Sequence, residues 1–598
     1  MTAEFRNTEV DLSGLMRVLG EALYSTPHVA IRELVQNAHD SLERCRIESV
    51  LPERPLIRLT SDAARGLLCI EDNGAGLTAE EIHKYLATVG AGYTRNLRDR
   101  DASSSLIGYF GLGFLSAFVV SEKTEAWTCS YQNPSEAWLF TSRSGETYSV
   151  QLAEPRPVGT RITLHLREGF RELATSSKLA AIVTKYCCLL PLPVEVDGHV
   201  VNADPPPWRL EQETSPVRKK RMELELAARL EQRFEPITTL ALLPDGSDPV
   251  IQGLLWIQDG GTYATSDHRT VCVYVRGMLV SDDERELLPP WAGFVGAVVE
   301  SDALKPTASR ETLQKDAVYE RTKSCLRESL VKGLSRLASA EPANWRRILR
   351  RHNEALLGAA ISDERLFQLL AKELTVPTSM GDLTVPAVLE RSRSSIHVRD
   401  LDTSSHQELL FRALNVPVVD GARYGAHSFC RLYCERLGGK LVVLGTQQGD
   451  RELFREAALN ESERERLGEL FGASDRQVLF SRFAPAYLPF IDVKDREIEL
   501  KRRIEAEEAD KRMGSAVLSL ARKFTATIHD APQFRFHVNV DSPVIQALLS
   551  APRERAAFAL RLLAPLGVLL GEASTSTDTE ESLRGFSEAV CAVLAEAK

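Results

Sequence analysis

Residues 31–49 read I-R-E-L-V-Q-N-A-H-D-S-L-E-R-C-R-I-E-S. Wound as a helix at about 100° per residue, Glu33, Asn37, Asp40 and Arg44 fall within roughly 60° of one another. Ile31, Leu34, Val35, Ala38, Leu42 and Cys45 fall on the opposite side, across about 100°. The apolar face needs a sheet to pack on. The polar face carries a carboxylate one turn from an amide oxygen, a pair that can polarise a water and hold a hard cation. Alone, such a helix is an ordinary amphipathic surface helix. The segments around it give the polar face a purpose.

After this helix, L-I-R-L-T-S-D (56–62) and G-L-L-C-I-E-D (66–72) read as strands. The second runs into Asp72-Asn73-Gly74-Ala75-Gly76, where glycines permit a tight turn and a close approach, and Asp72 presents a carboxylate at the strand end. As a fragment this is also a D-N-G hairpin turn. A helix at 78–89 and a polar stretch at 92–105, with the composition of a lid, lead to Gly108-Tyr109-Phe110-Gly111-Leu112-Gly113 and the apolar F-L-S-A-F-V-V. Glycine-rich turns ahead of a helix can aim backbone N–H groups at phosphates. Strands are expected at 123–131, 136–142, 146–152 and 159–166, the last beginning Gly159-Thr160, and an amphipathic helix at 11–24.

The chain has 598 residues, 43% apolar and 26% charged, which fits a soluble protein of three or four domains. A net charge of −10 argues against a nucleic-acid partner. No run is long and apolar enough for a membrane span, and the first residues lack a signal-peptide core, so a cytoplasmic protein is expected. The ten cysteines have no zinc-site spacing and are expected to be free buried thiols.

The ordered set Glu33…Asn37…Asp40, D-N-G-A-G, G-Y-F-G-L-G-F and G-T before a strand resembles the nucleotide-binding domain of the GHKL ATPase superfamily. Spacing and flanks are closest to the heat-shock protein 90 chaperone family, of the bacterial high-temperature protein G type. Four motifs in order over about 130 residues are far more specific than any one of them. The resemblance implies an α/β sandwich with ATP and Mg2+ between sheet and helices. It implies that Glu33 orients or deprotonates the attacking water, Asn37 ligates magnesium, and Asp72 and Thr160 read the adenine amine. Gly74 and Gly76 would admit base and ribose. Gly108, Gly111 and Gly113 would end the lid over the phosphates, and Arg32 would restrain Glu33. Asp40, Leu77, Leu112 and Phe114 join the implied nucleotide contacts.

The P-P-P-W run (205–208) closes this first domain, taken as 1–205. A charged helical stretch (210–233) and strands at 254–257 and 271–280 open the second, 206–445, with helices near 317–338, 341–356, 363–374 and 426–436. Its segment V-V-E-S-D-A-L-K-P-T-A-S-R-E-T-L-Q (298–314) also resembles the family. The resemblance makes Arg310 an arginine finger on the terminal phosphate, supported by Gln314; a guanidinium forks onto phosphate oxygens and is always charged. The third domain, 446–598, holds a charged helix (494–512), a strand (534–540), a helix at 541–549 capped by Asp541 or Ser542 with Pro543 in its first turn, and helices at 555–571 and 579–596. It resembles the family's mainly helical dimerisation domain.

The fold class expected is thus a multidomain α+β and α/β chain. The activity implied is that of an ATP-hydrolysing homodimeric chaperone with client proteins and co-chaperones as partners. No acidic M-E-E-V-D-like tail is present, so co-chaperones that read that tail are not expected. Three residues depart from the family pattern: Tyr109 for glutamine, Ala91 (with Arg95 nearby) for the lysine before the lid, and Thr307 for asparagine. They motivate an alternative, a nucleotide-regulated interaction protein that binds ATP as a switch and scarcely hydrolyses it. A sensor kinase would need a phospho-acceptor helix ahead of residue 11. DNA-processing ATPases fit the second and third domains poorly.

Overall fold

The computed structural model describes residues 26–88, 113–143, 145–210, 215–243, 251–261, 267–307, 311–399, 410, 415–444, 453–472, 477–494, 496–509 and 534–570. The chain divides into two compact units, 1–352 and 353–598. The helices expected at 11–24 and 579–596, and Ala91, Arg95, Gly108, Tyr109, Gly111, Leu112 and Arg310, lie outside the described residues.

The first unit opens with helix α1, Val29–Ile47. It packs on a mixed eight-stranded sheet formed by β1 (Ile57–Asp62), β2 (Leu67–Asp72), β3 (Ser121–Cys129), β4 (Ala137–Ser142), β5 (Tyr148–Ala153), β6 (Gly159–Leu166), β7 (Val194–Val196) and β8 (His199–Val200). The strand order is β5-β4-β3-β6-β2-β1-β7-β8, antiparallel except for the parallel pair β1–β7. Alternation places the inward residues. Ile57 and Leu59 of β1 are buried while Arg58 and Thr60 are exposed. Ile31, Leu34, Val35, Ala38 and Leu42 of α1 share one core with Ile57, Leu59, Leu68, Ile70, Ile162 and Leu164. Burying each Leu or Ile there contributes about 1.5–3 kcal/mol. Helix α2, Ser176–Cys187, joins the same core through Leu179, Ile182 and Val183.

The polar face of α1 is not solvated. Between Val29 and Cys45 only Asn37 is exposed. The helix expected at 78–89 is one α turn, Ala79–Glu81, that widens into a π turn over Ile82–Leu86. Thr78 starts it with a capping box: its hydroxyl accepts from Glu81 N–H while the Glu81 carboxylate accepts from Thr78 N–H.

Helix α3, Pro216–Leu230, precedes a five-stranded sheet of β9 (Pro236–Ala241), β10 (Gln252–Gln258), β11 (Val271–Val275), β12 (Met278–Ser281) and β13 (Val295–Glu300), ordered β12-β11-β13-β10-β9. The single strand expected at 271–280 is a hairpin. Arg276 and Gly277 both take positive φ (54° and 79°), the backbone of a two-residue turn that matches the twist of its strands. A Cβ on Gly277 would lie 2.7 Å from the Leu189 carbonyl oxygen, so the turn also needs glycine for room. Helices α4 (Ala317–Ala340) and α5 (Pro342–Ser362) follow. The helix expected at 341–356 falls on α5, which runs to Ser362 as two helical segments joined by a kink at His352, where φ is −122° and ψ 21°. Asp363 then caps a short helix, Glu364–Leu370, by accepting from Arg365 N–H.

The second unit carries two further sheets. One is ordered β15-β14-β17-β16-β18, from β14 (Thr375–Thr378), β15 (Gly381–Thr384), β16 (Ser395–Arg399), β17 (Val418–Asp420) and β18 (Lys440–Val443). The other is ordered β19-β20-β22-β21, from β19 (Arg455–Glu456), β20 (Gln477–Arg482), β21 (Phe490–Lys494) and β22 (Phe534–Asn539). Of this last sheet the sequence reading held only the strand at 534–540. Ser542 stands at the cap of the helix Pro543–Ser550, yet its hydroxyl makes no capping bond. Among the described residues every cysteine is free.

Candidate nucleotide site

The floor of the site is the end of β2. Asp72 pairs with Thr160 of β6 in the antiparallel ladder, so both side chains meet at the same end of the sheet. Asp72 is 7% exposed. Its Oδ1 accepts from the Gly74 N–H and from the Ser41 hydroxyl, both at 2.9 Å. Its Oδ2 takes no hydrogen bond among the described residues. Burial raises the carboxyl from the ordinary range near 3.8 to about 7, opposed by the Gly74 N–H, the Ser41 hydroxyl and the Arg156 guanidinium.

The D-N-G-A-G turn is held from several sides. Ala75 N–H donates to the Ser41 hydroxyl at 3.1 Å, and Asn73 bridges the Leu56 N–H and the Arg54 carbonyl. A Cβ at Gly74 would collide with the Ser41 hydroxyl. One at Gly76, where φ is +61°, would collide with the Cys129 carbonyl. Both glycines therefore serve the protein's own packing. Leu77 N–H donates to Thr128 Oγ1 at 2.8 Å, and Thr128 Oγ1 lies 3.0 Å from Thr160 Oγ1.

Above the floor, Glu33 of α1 is 2% exposed and 3.1 Å from the Arg32 guanidinium, itself 3% exposed. A Cβ on Gly113 would lie 2.6 Å from Glu33 Oε2, which places the end of the glycine-rich segment directly against that carboxylate. Asn37 is exposed on the same wedge of α1, and Asp40 is buried, 3.4 Å from His39 Nδ1. Arg44, on the same wedge, is buried. It reaches Glu81 at 2.8 Å and Glu48 at 3.3 Å, linking α1 to the capped turn that leads toward residues 92–105. Phe114 is buried edge-on between Phe118 and Phe140, so its ring belongs to the core.

The second candidate segment follows β13. Thr307 N–H donates to the Thr312 carbonyl at 2.9 Å, and Gln314 closes the loop's neck by donating from its backbone to Lys305 and from Nε2 to the Pro306 carbonyl. Gln314 is thus engaged with the loop itself. The loop's root is clamped. Trp208 Nε1 donates to Glu300 Oε2 at 2.8 Å, and Arg209 bonds Glu300 Oε1 while its Nη1 donates to the Leu189 carbonyl at 2.8 Å.

Sequence reasoning missed Ser41, Thr128 and the clamp of Trp208, Arg209 and Glu300. Ser41 sits about 80° round α1 from Glu33, just outside the polar wedge. Thr128 is an inward-facing threonine on a strand, a weak signal without knowledge of its partner strand.

A mixed sheet with a helical layer on one face, a buried strand-end aspartate and a helix-borne glutamate define a GHKL-type ATPase domain. Residues 24–157 match the family described as histidine kinase-, DNA gyrase B-, and HSP90-like ATPase, and residues 259–385 match the Hsp90 protein family. The chain is similar to the chaperone protein HtpG of Methylococcus capsulatus, 29% identical over 404 residues, covering 62% of this chain and 64% of that one. It is similar to the HtpG of Paramagnetospirillum magneticum, 31% identical, covering 54% of this chain and 55% of that protein. It is also similar to the mitochondrial 75 kDa heat shock protein of Bos taurus, 29% identical, covering 54% and 48%. The matches span about half to two thirds of the length of these relatives. The chain is thus similar, in two separate segments, to the heat-shock protein 90 family, and among its members to divergent relatives of the HtpG type.

Proposed function

We propose that this chain binds ATP over the β2–β6 end of the first sheet and hydrolyses it as an ATP-dependent molecular chaperone. The observation that carries the reading is Asp72: a buried carboxylate whose Oδ1 accepts from the Gly74 N–H of its own turn and from the Ser41 hydroxyl of α1, whose Oδ2 takes no hydrogen bond among the described residues, and which pairs with Thr160. An exocyclic amine is the kind of donor such an oxygen accepts. The Asn37 amide oxygen is exposed and is a hard donor. Mg2+ takes one or two such protein ligands and keeps water and phosphate oxygens for the rest. The ion would supply charge neutralisation on the phosphates.

Glu33 orients the attacking water for in-line transfer, and Arg32, paired with it, restrains it before the active state forms. Arg310 completes the charge stabilisation from a loop whose neck Gln314 holds. The chain works as domains 1–205, 206–445 and 446–598, dimerises through the last, acts on client proteins with co-chaperones, and resides in the cytoplasm. Turnover is slow because closure gates it.

The switch reading, binding without appreciable hydrolysis, draws on the burial of Glu33 and its engagement with Arg32. Steady-state ATP hydrolysis by the wild type beside Glu33→Ala separates the two. Activity that is lost in the variant supports the ATPase. ATP binding with no phosphate release in either supports the switch, and equal activity in both removes Glu33 from the mechanism.

A further inference from the structure

The Ser41 hydroxyl is half-buried between three partners at the end of β2 and in the turn that follows it. It donates to Asp72 Oδ1 at 2.9 Å, accepts from Ala75 N–H at 3.1 Å, and fills the space that a Cβ on Gly74 would need. The same turn's Gly74 N–H also ends on Oδ1. Two donors on one oxygen, one from the helix and one from the turn, hold the carboxylate so that Oδ2 is the free acceptor. Ser41 is the side chain by which the helix carrying Glu33 grips the turn carrying Asp72. Its backbone carbonyl adds a further bond from Ala75 N–H at 3.3 Å.

We propose that Ser41 is a positioning residue for base selection: its hydroxyl fixes Asp72 so that Oδ2 meets the exocyclic amine of adenine. The inference rests on the nucleotide reading above. It assigns the preference for an amino-purine jointly to Asp72 and to a helix residue outside the polar wedge. A serine hydroxyl suits the place because it donates and accepts at once. Alanine would leave Ala75 N–H with only its longer bond and would leave Asp72 free to rotate.

The test uses the full chain and two ligands: ADP, and purine riboside 5′-diphosphate, which has hydrogen where ADP has the amine. Affinities are measured by calorimetry for wild type, Ser41→Ala and Asp72→Asn, at pH 6 to 8. Ser41→Ala should weaken ADP about 5- to 10-fold, the loss of one hydrogen bond's positioning, and change the purine riboside diphosphate less than about two-fold. The pH midpoint of ADP affinity should also move upward, since a hydrogen bond to the charged carboxylate has gone. Equal weakening of both ligands with the midpoint unmoved makes Ser41 a structural residue and overturns the proposal. Unchanged ADP affinity in Ser41→Ala overturns it as well. If Asp72→Asn also leaves ADP affinity unchanged, the reading of Asp72 itself fails; if Asp72→Asn loses affinity while Ser41→Ala does not, only the role of Ser41 fails. Alanine is the strongest helix former, so the variant keeps the helix it tests.

Discussion

Asp72 and Glu33 are both buried carboxylates of one site, yet they are held by different means. Asp72 sits at the end of a six-residue ladder with β6 and takes its two bonds from a backbone N–H and a side chain of another element. Glu33 is held by Arg32, its neighbour on the same helix. The first arrangement can change only if the sheet end or the turn changes. The second is an ion pair between adjacent side chains of one helix. On the proposed reading, the base-reading half is anchored in the sheet and the hydrolytic half in an ion pair that can be switched.

The largest effect should come from forcing the fixed half. Gly76→Ala places a Cβ against the Cys129 carbonyl at a positive φ, and each fault costs about 1–3 kcal/mol. Thermal melting should show a drop of several degrees and nucleotide binding should be lost. A variant with wild-type melting would mean that the turn is not rigid. Asp72→Asn should come next: removal of a charge-assisted acceptor, worth about 1.5–3 kcal/mol, lowers affinity about 10- to 100-fold. The rate at saturating ATP should change little, because Glu33 is untouched. Arg32→Ala addresses the switchable half. Nucleotide affinity should hold within about two-fold while hydrolysis rises about two- to five-fold, the release of a restraint worth about 1 kcal/mol. A fall in hydrolysis would make Arg32 a support for Glu33 instead.

The smallest effect is on pH. The Asp72 carboxyl is raised to about 7 in the folded chain, so the folded state holds a proton that the unfolded state has lost from about pH 4 upward. That contribution favours folding at low pH and is lost as pH rises through this window. An amine donor favours the ionised form, so nucleotide binding near pH 6.5 should release a proton. Calorimetry in buffers of different ionisation enthalpy measures it, and Asp72→Asn should abolish it.

Helix α1 was legible because its apolar residues repeat at helical spacing, and β1, β2 and β6 because theirs alternate. The motif order singled out the candidates Glu33, Asn37, Asp72 and Thr160 of the proposed site. The hairpin at Arg276-Gly277 was hidden because both of its strands are apolar and R-G is not among the strong turn dipeptides. The burial of Glu33 and the role of Ser41 were not legible for another reason. Each depends on what the sheet and the turn bring up to the helix, and Ser41 meets Asp72 across 31 positions of chain. The clamp on Glu300 spans 92 positions from Trp208 and carries no local pattern at all.

The hairpin β11–β12 has one more implication. Its Met278 lies in the core of the first sheet, its Cys272, Tyr274 and Leu279 pack with Cys188 and Leu189, and Arg209 ties Leu189 to Glu300. A chain severed at 205 would leave apolar side chains of each piece facing water where the other had been. The first two sheets should therefore lose their structure cooperatively, in one calorimetric transition, even though a proline-rich joint invites the scissors there.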